Sequence, residues 1–273
     1  MTGAIRLAAA GLAALVASTP ALHAEEGVVR LHAAGSLRPA LTELGQAFTR
    51  AYGTRVEAQF GSSGLLRERL ERGEAGDVYA SADMGNPLAL AEAGRAGPVV
   101  LFARNRLCAI VRPGLQVTPG TVLAAMLAPG TKLGTSTPRN DPAGDYAWQL
   151  FAKAEAVQPG ARQALEAKAL RLTGAPDSPR SPDGRSVYAW HVLEGRADLF
   201  LAYCTAGREA AAEAPGISVV ELPPELAVGA DYGLTVLRTA NTRAALPYVL
   251  YVLSSEGQAI LARYGFDAPL SPR

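Results

Sequence analysis

From residue 28 onward, short apolar runs alternate with stretches whose apolar positions recur every three or four residues. Val28–Ala34 (VVRLHAA) is short, apolar and β-branched at its head, which predicts a strand. Leu37, Ala40, Leu41, Leu44, Ala47, Phe48 and Ala51 then follow the spacing of an amphipathic helix, and Gly53 is placed to stop it. Residues 55–60 (RVEAQF) alternate as a half-buried strand does, residues 65–72 (LLRERLER) are helical with Gly73 as their stop, and residues 77–81 (DVYAS) give a third strand. This β-α-β-α-β order with short connections predicts a parallel or mixed sheet covered by helices.

Further along, residues 99–111 read as one or two strands ending at Arg112-Pro113-Gly114. Residues 121–127, 146–157 and 161–169 read as helices, and residues 132–135 as a short strand entering a Pro/Asn/Asp loop over 136–144. Residues 173–185 (TGAPDSPRSPDGR), with three prolines and two glycines, are a loop. Val187–Leu193 is a short helix, Leu199–Tyr203 and residues 232–237 are strands, and helices near 244–253 and 256–264 close the chain. The sequence contains no internal repeat and no low-complexity tract.

The 273 residues are enough for two compact lobes or one large α/β domain. Half the residues (49%) are hydrophobic and the formal net charge is +1, which excludes a disordered chain and argues against a binder of nucleic acid or other polyanions. Three histidines and two cysteines argue against a Cys/His metal site. Residues 1–24 have a basic start at Arg6, an apolar run over 7–16 and a small-residue end at Ala24, so they read as a secretory signal peptide. The apolar run is too short for a bilayer, which takes about 20 residues. Export places the mature chain in an oxidising compartment, and Cys108 and Cys204, its only cysteines, are expected to form a disulfide.

The candidate chemistry lies in three turns built from small residues: Ala33-Ala34-Gly35-Ser36, Gly61-Ser62-Ser63-Gly64 and Asp141-Pro142-Ala143-Gly144. Each puts free backbone N–H groups at a predicted helix start, where the dipole favours an anion without any charged side chain. Serine at a helix start also serves as an ordinary cap. Three such turns after predicted strands point further, because ligands of open α/β sheets bind at the carboxyl ends of strands.

The stretch from LHAAGSL through FGSSGLL to DVYASAD, continued by DPAGDYAWQLF, EGRADLFLAY and SSEGQAILARYGF, resembles the periplasmic molybdate-binding proteins, the ModA-like solute receptors of ABC importers. The resemblance runs in order through nearly all of the mature chain. It implies a two-lobed α/β type II periplasmic binding-protein fold, each lobe a mixed sheet flanked by helices. Lobe one would be residues 25–104 and 239–273, lobe two residues 105–238, with the segments near 99–111 and 232–237 as crossovers. It further implies no cofactor, a molybdate or tungstate ligand in the cleft, a membrane permease as partner, a periplasmic location and a monomer. Carried over by position, the donors are the hydroxyls of Ser36 and of the Ser62-Ser63 pair, with Ser63 preferred, the Ala143 amide, the Tyr203 hydroxyl and a last backbone donor near Arg185–Ser186–Val187. Such neutral donors give hydrogen bonds to a charged acceptor of about 1.5–3 kcal/mol each and make walls free of acceptors. The chain departs from the pattern at Arg185 and at its longer Pro-rich loop, which opens a second reading: another oxyanion or a small carboxylate or phosphonate, held by a bidentate Arg185.

Other residues read as structural. His32 and His191 fall on predicted elements, Tyr188 and Trp190 are expected to pack, and Asp77, Asp83 and Asp198 sit at strand ends where acids bind turns. Residues 67–72 form a solvated face of mixed charge. Arg139-Asn140-Asp141 and Arg180 lie in loops beside the expected cleft. A secreted hydrolase is the rival class; the Gly61-Ser62-Ser63-Gly64 turn lacks the spacing of a nucleophile elbow, and few histidines are present to act as bases.

Overall fold

The computed structural model describes residues 27–182 and 184–269; the expected leader at 1–24 lies outside the described residues. Strand β1 (Val28–Ala34) is buried over its last four positions, as a strand with neighbours on both sides must be. It pairs in parallel with β2 (Arg55–Gly61), an edge strand that turns Arg55, Glu57 and Gln59 outward, and with β3 (Val78–Ser81). Between β1 and β2, a single 3-10 turn, Gly35–Leu37, leads into α1 (Arg38–Tyr52). Helix α1 buries Ala40, Leu41, Leu44 and Phe48, the stripe expected from the spacing. Full burial of each large apolar side chain contributes about 1.5–3 kcal/mol. Gly53 stops the helix in the left-handed region at φ 72°.

Helix α2 (Ser63–Glu71) starts two residues before the sequence pattern indicated, with Ser62 as its N-cap residue. After α3 (Gly85–Glu92) comes the twelve-residue strand β4 (Val100–Val111). Helix α4 (Val122–Leu127) and strand β5 (Leu133–Ser136) lead to α5 (Pro142–Val157), which begins four residues before the sequence reading. Asp141 caps α5, and Pro142 fits its first turn because a missing N–H costs nothing there. Helix α6 (Ala161–Lys168) is followed by β6 (Leu170–Thr173), so the loop expected over 173–185 starts at the end of a strand. Then come α7 (Val187–Leu193), β7 (Leu199–Tyr203), α8 (Cys204–Glu213), β8 (Ser218–Glu221) and β9 (Gly229–Val236). The chain closes with α9 (Thr242–Leu253) and α10 (Ser255–Arg263).

The strands order as β2-β1-β3-β9-β4-β7-β5-β6, with β8 on β4. Where separate sheets were expected for the two halves, hydrogen bonding is continuous through β4. That strand changes partners midway: residues 100–106 pair antiparallel with β9, and residues 107–111 pair with β7 and β8. The two segments expected as crossovers are thus neighbouring antiparallel strands at the centre. Helices α9 and α10 return the chain to its beginning: Tyr248 packs edge-on against Phe48 at 5.3 Å, and the Tyr264 hydroxyl donates to Glu43 at 2.8 Å.

Cys108 of β4 and Cys204 form a disulfide, with Cα atoms 4.9 Å apart. Cys204, which directly follows the strand expected over Leu199–Tyr203, is the first residue of α8. The acids at strand ends bind turns: Asp77 accepts from the Arg30 and Asn241 amides, and Asp198 from the Lys132 amide and Arg112. His32 is buried and bonds Glu74 at 3.1 Å.

Candidate functional site

A cavity of about 590 Å³ opens between the first two βα turns and the elements contributed by residues 141–209. One wall is Ala34, Gly35, Ser36, Gly61, Ser62, Ser63 and Ala82. The parallel register of β1 and β2 places Ala34 opposite Gly61, so both turns leave the sheet at one level. Ser63 is buried; its Oγ accepts from the Ala82 N–H at 3.1 Å, which leaves the hydroxyl proton free to donate. The Tyr79 hydroxyl donates to the Ser63 carbonyl at 2.7 Å and fixes that turn from behind.

Ser36 is held by a chain of polar groups. Asn105 Nδ2 donates to Thr205 Oγ1 at 2.9 Å and to the Tyr232 hydroxyl at 3.3 Å, and the Tyr232 oxygen lies 3.0 Å from Ser36 Oγ. With Asn105 donating to the Tyr232 oxygen, the Tyr232 proton is available to Ser36 Oγ, and in that arrangement the Ser36 proton is left for the cavity. Asn105 and Tyr232 escaped the sequence reading, since nothing in one sequence marks residues 36, 105 and 232 as neighbours.

The opposite wall includes Asp141, Thr173, Ser181, Arg185, Ser186, Tyr188, Tyr203 and Glu209. Tyr203 is buried, and its hydroxyl donates to the Ala82 carbonyl at 3.4 Å. The walls meet where the Gly64 N–H donates to the Asn140 carbonyl at 2.9 Å. Only glycine permits this approach, since a Cβ at position 64 would lie 2.2 Å from the Arg139 carbonyl oxygen.

Ser36, Ser62, Ser63, Arg185, Ser186 and Tyr203 are therefore brought to one cavity, and Ala143 is not. Ala143 is fully buried and its N–H donates to Asp141 Oδ1 at 3.1 Å, because an aspartate N-cap takes the amide two residues on. The Ser186 N–H donates to Glu213 at 2.6 Å. Arg185 lines the cavity while its Nε donates to the same carboxylate at 2.9 Å.

The walls are not free of acceptors. Asp141 and Glu209 line the cavity together with Arg38 and Arg185. Burial pushes the Asp141 pKa up to about 6, with Asp145 and Asp83 adding to the shift. Burial and then Glu213 raise Glu209, against Arg38, which lowers it. The signal for Asp141 was legible, since an Asp-Pro pair opening a helix marks a cap. That for Arg38 and Glu209 was not, because each reads as an exposed helix charge.

The fold is a mixed α/β periplasmic binding-protein fold. It is shared with the periplasmic molybdate-binding protein of Azotobacter vinelandii, at a TM-score of 0.71 and 22% identity over 88% of this chain and 99% of that one. The sequence pattern of the bacterial extracellular solute-binding proteins matches residues 29–267, and the chain belongs to that family. It is 36% identical to an uncharacterized protein of Pasteurella multocida over 87% of this chain and 98% of that protein. It is 27% identical to the molybdate-binding protein ModA of Mycobacterium tuberculosis, over 87% of this chain and 83% of that protein. Among the described residues, no helix is long and apolar enough to cross a membrane, and no cluster of three or more His, Cys, Asp or Glu could hold a metal ion.

Proposed function

We propose that the protein captures a tetrahedral oxyanion, molybdate or tungstate first, between Ser36, Ser63 and Tyr203, and delivers it to the permease of an ABC importer. The observation that carries this reading is the convergence of two Ser/Gly turns, each opening a helix, on one wall of a cavity that Tyr203 also lines. Ser36 and Ser63 each keep a proton to donate, and donors to an anion contribute more than donors to a neutral acceptor. The 27% identity to a molybdate-binding relative is consistent with the same ligand. The mature chain would act in the periplasm as a monomer after loss of residues 1–24. Lobes of residues 25–104 with 239–273, and of 105–238, would close about β4 and β9.

A binding screen tests this. A ligand that binds only the folded state stabilises it by about 4 kcal/mol at a thousand times Kd. Melting temperature should rise clearly with molybdate or tungstate, and silence toward both would refute the assignment. A second reading is favoured by Arg38 and Arg185 in the lining and by a cavity far larger than one tetrahedral ion: another oxyanion, or a small carboxylate or phosphonate, held in part by Arg185. A melting shift with such an organic anion, lost in Arg185→Met, would establish it.

A further inference from the structure

Asp141 is an acceptor on the wall of a cavity whose other wall donates. Its position is fixed: Oδ1 accepts from the Ala143 N–H at 3.1 Å, and the backbone at Gly174 closes over the side chain, where any Cβ would lie 2.6 Å from Asp141 Cβ. Among the described residues it forms no salt bridge. Its charged and titratable surroundings are Asp145 on the helix it caps, Asp83 next to Ala82 of the other wall, Tyr188 and Tyr203 from α7 and β7, and Arg38, Arg185 and Glu209 around the cavity.

A carboxylate facing an oxyanion sets lone pairs against lone pairs, and the two negative charges repel. One proton between them turns that contact into a charge-assisted O–H···O⁻ bond. We propose that Asp141 is a specificity-determining residue of the receptor site inferred above, and that it admits an oxyanion only with one proton between its carboxyl group and the bound anion. Hydrogen phosphate, or a phosphate ester bearing a hydroxyl, brings that proton with it. Molybdate, tungstate and sulfate bring none at neutral pH, so Asp141 must take the proton from solvent as they bind. Burial already holds this carboxyl at a pKa of about 6, which makes the uptake easier than for an ordinary aspartate.

The test is calorimetric titration of the mature protein with molybdate, in pairs of buffers that differ in ionisation enthalpy, repeated from pH 7 to pH 9. Asp141→Asn keeps an N-cap acceptor for Ala143, so its fold is preserved. The wild type should take up close to one proton per molybdate at pH 7, and its Kd should weaken about tenfold per pH unit above that. Asp141→Asn should take up none and hold a flat affinity. Hydrogen phosphate as the second probe should bind the wild type without uptake and lose affinity in Asp141→Asn. Phosphate binding alone, with molybdate and sulfate admitted only by Asp141→Asn, also supports the inference and puts the proton on the ligand. Molybdate binding without uptake and without pH dependence overturns it and leaves the receptor reading intact. Failure of both proteins to bind any of these anions overturns the inference and the molybdate assignment together, and leaves the organic-anion reading.

Discussion

The two walls of the cavity are built on different principles. The wall made by the first two βα turns comes from local sequence: small residues at strand ends, backbone amides at helix starts, and hydroxyls one residue further on. The wall made by residues 141–209 comes from side chains on five separate elements, two acids and one arginine among them, which meet only through the fold. Under the proposed function the first wall would hold almost any oxyanion and say little about which. Discrimination therefore has to come from the second wall, where acceptors, a cation and hydroxyls differ in number and place.

The largest expected effect tests the first wall. Replacing Ser36 and Ser63 together by alanine removes two donors to a charged acceptor and should cost roughly 3–6 kcal/mol of affinity if the losses add. Calorimetry should show binding lost for every oxyanion alike, with the unliganded melting temperature little changed. A double variant that lost one anion and kept another would mean that this wall, too, is selective.

The disulfide comes next. Cys108 lies on the central strand β4 and Cys204 opens α8, the helix that carries Glu209 to the second wall, so the bond ties that wall to β4. The chain between them spans 96 positions, and the chain-entropy relation gives about 4–5 kcal/mol of stability for a loop of that length. Reduction, or Cys108→Ser with Cys204→Ser, should lower the denaturant midpoint accordingly. A loss below about 1 kcal/mol would show that the second wall is held by packing instead.

Legibility in the sequence divides along the same line. The order of β1, α1, β2, α2 and β3 and the core stripe of α1 were readable, because apolar period and a glycine stop act within a dozen residues. Ser36, Ser62 and Ser63 were readable for the same reason. The elements α3, β6, α8 and β8 were not: three are short, and the Ala-rich run after Cys204 shows no apolar stripe distinct from its polar face. Ala143 was expected as a donor from the third turn, but Asp141 two residues earlier takes its amide and the residue does not line the cavity. The Asn105–Tyr232–Ser36 chain joins residues up to 196 positions apart, beyond the reach of any local pattern.

That chain gives a smaller prediction. Tyr232→Phe removes the hydroxyl that turns Ser36 toward the cavity, while Asn105 keeps its bond to Thr205. Affinity should fall by about 1–1.5 kcal/mol, roughly tenfold, for all oxyanions that Ser36 contacts. Unchanged affinity would show that Ser36 orients itself without help from β9.

The smallest effect concerns the second wall without ligand, and its sign is distinctive. Asp141 has its pKa raised from 3.8 to about 6 by burial, so the folded protein disfavours the carboxylate relative to the unfolded chain. Above about pH 6 the group is ionised in both states and the penalty is fully present; below pH 3.8 it is protonated in both and the penalty is gone. His191 runs the other way in the same window: burial lowers its pKa from 6.5 to about 4, and its contribution is lost as pH falls. The wild-type profile alone therefore mixes the two, and the difference between Asp141→Asn and wild type separates them. Melting curves of both proteins without ligand should show the variant more stable at pH 8, with the gap shrinking as pH falls through 6 and vanishing near 4. A gap that stayed constant with pH would mean that the carboxyl group is no harder to ionise in the folded protein than in the unfolded chain, and the second wall would then carry an ordinary anion where this structure puts a strained one.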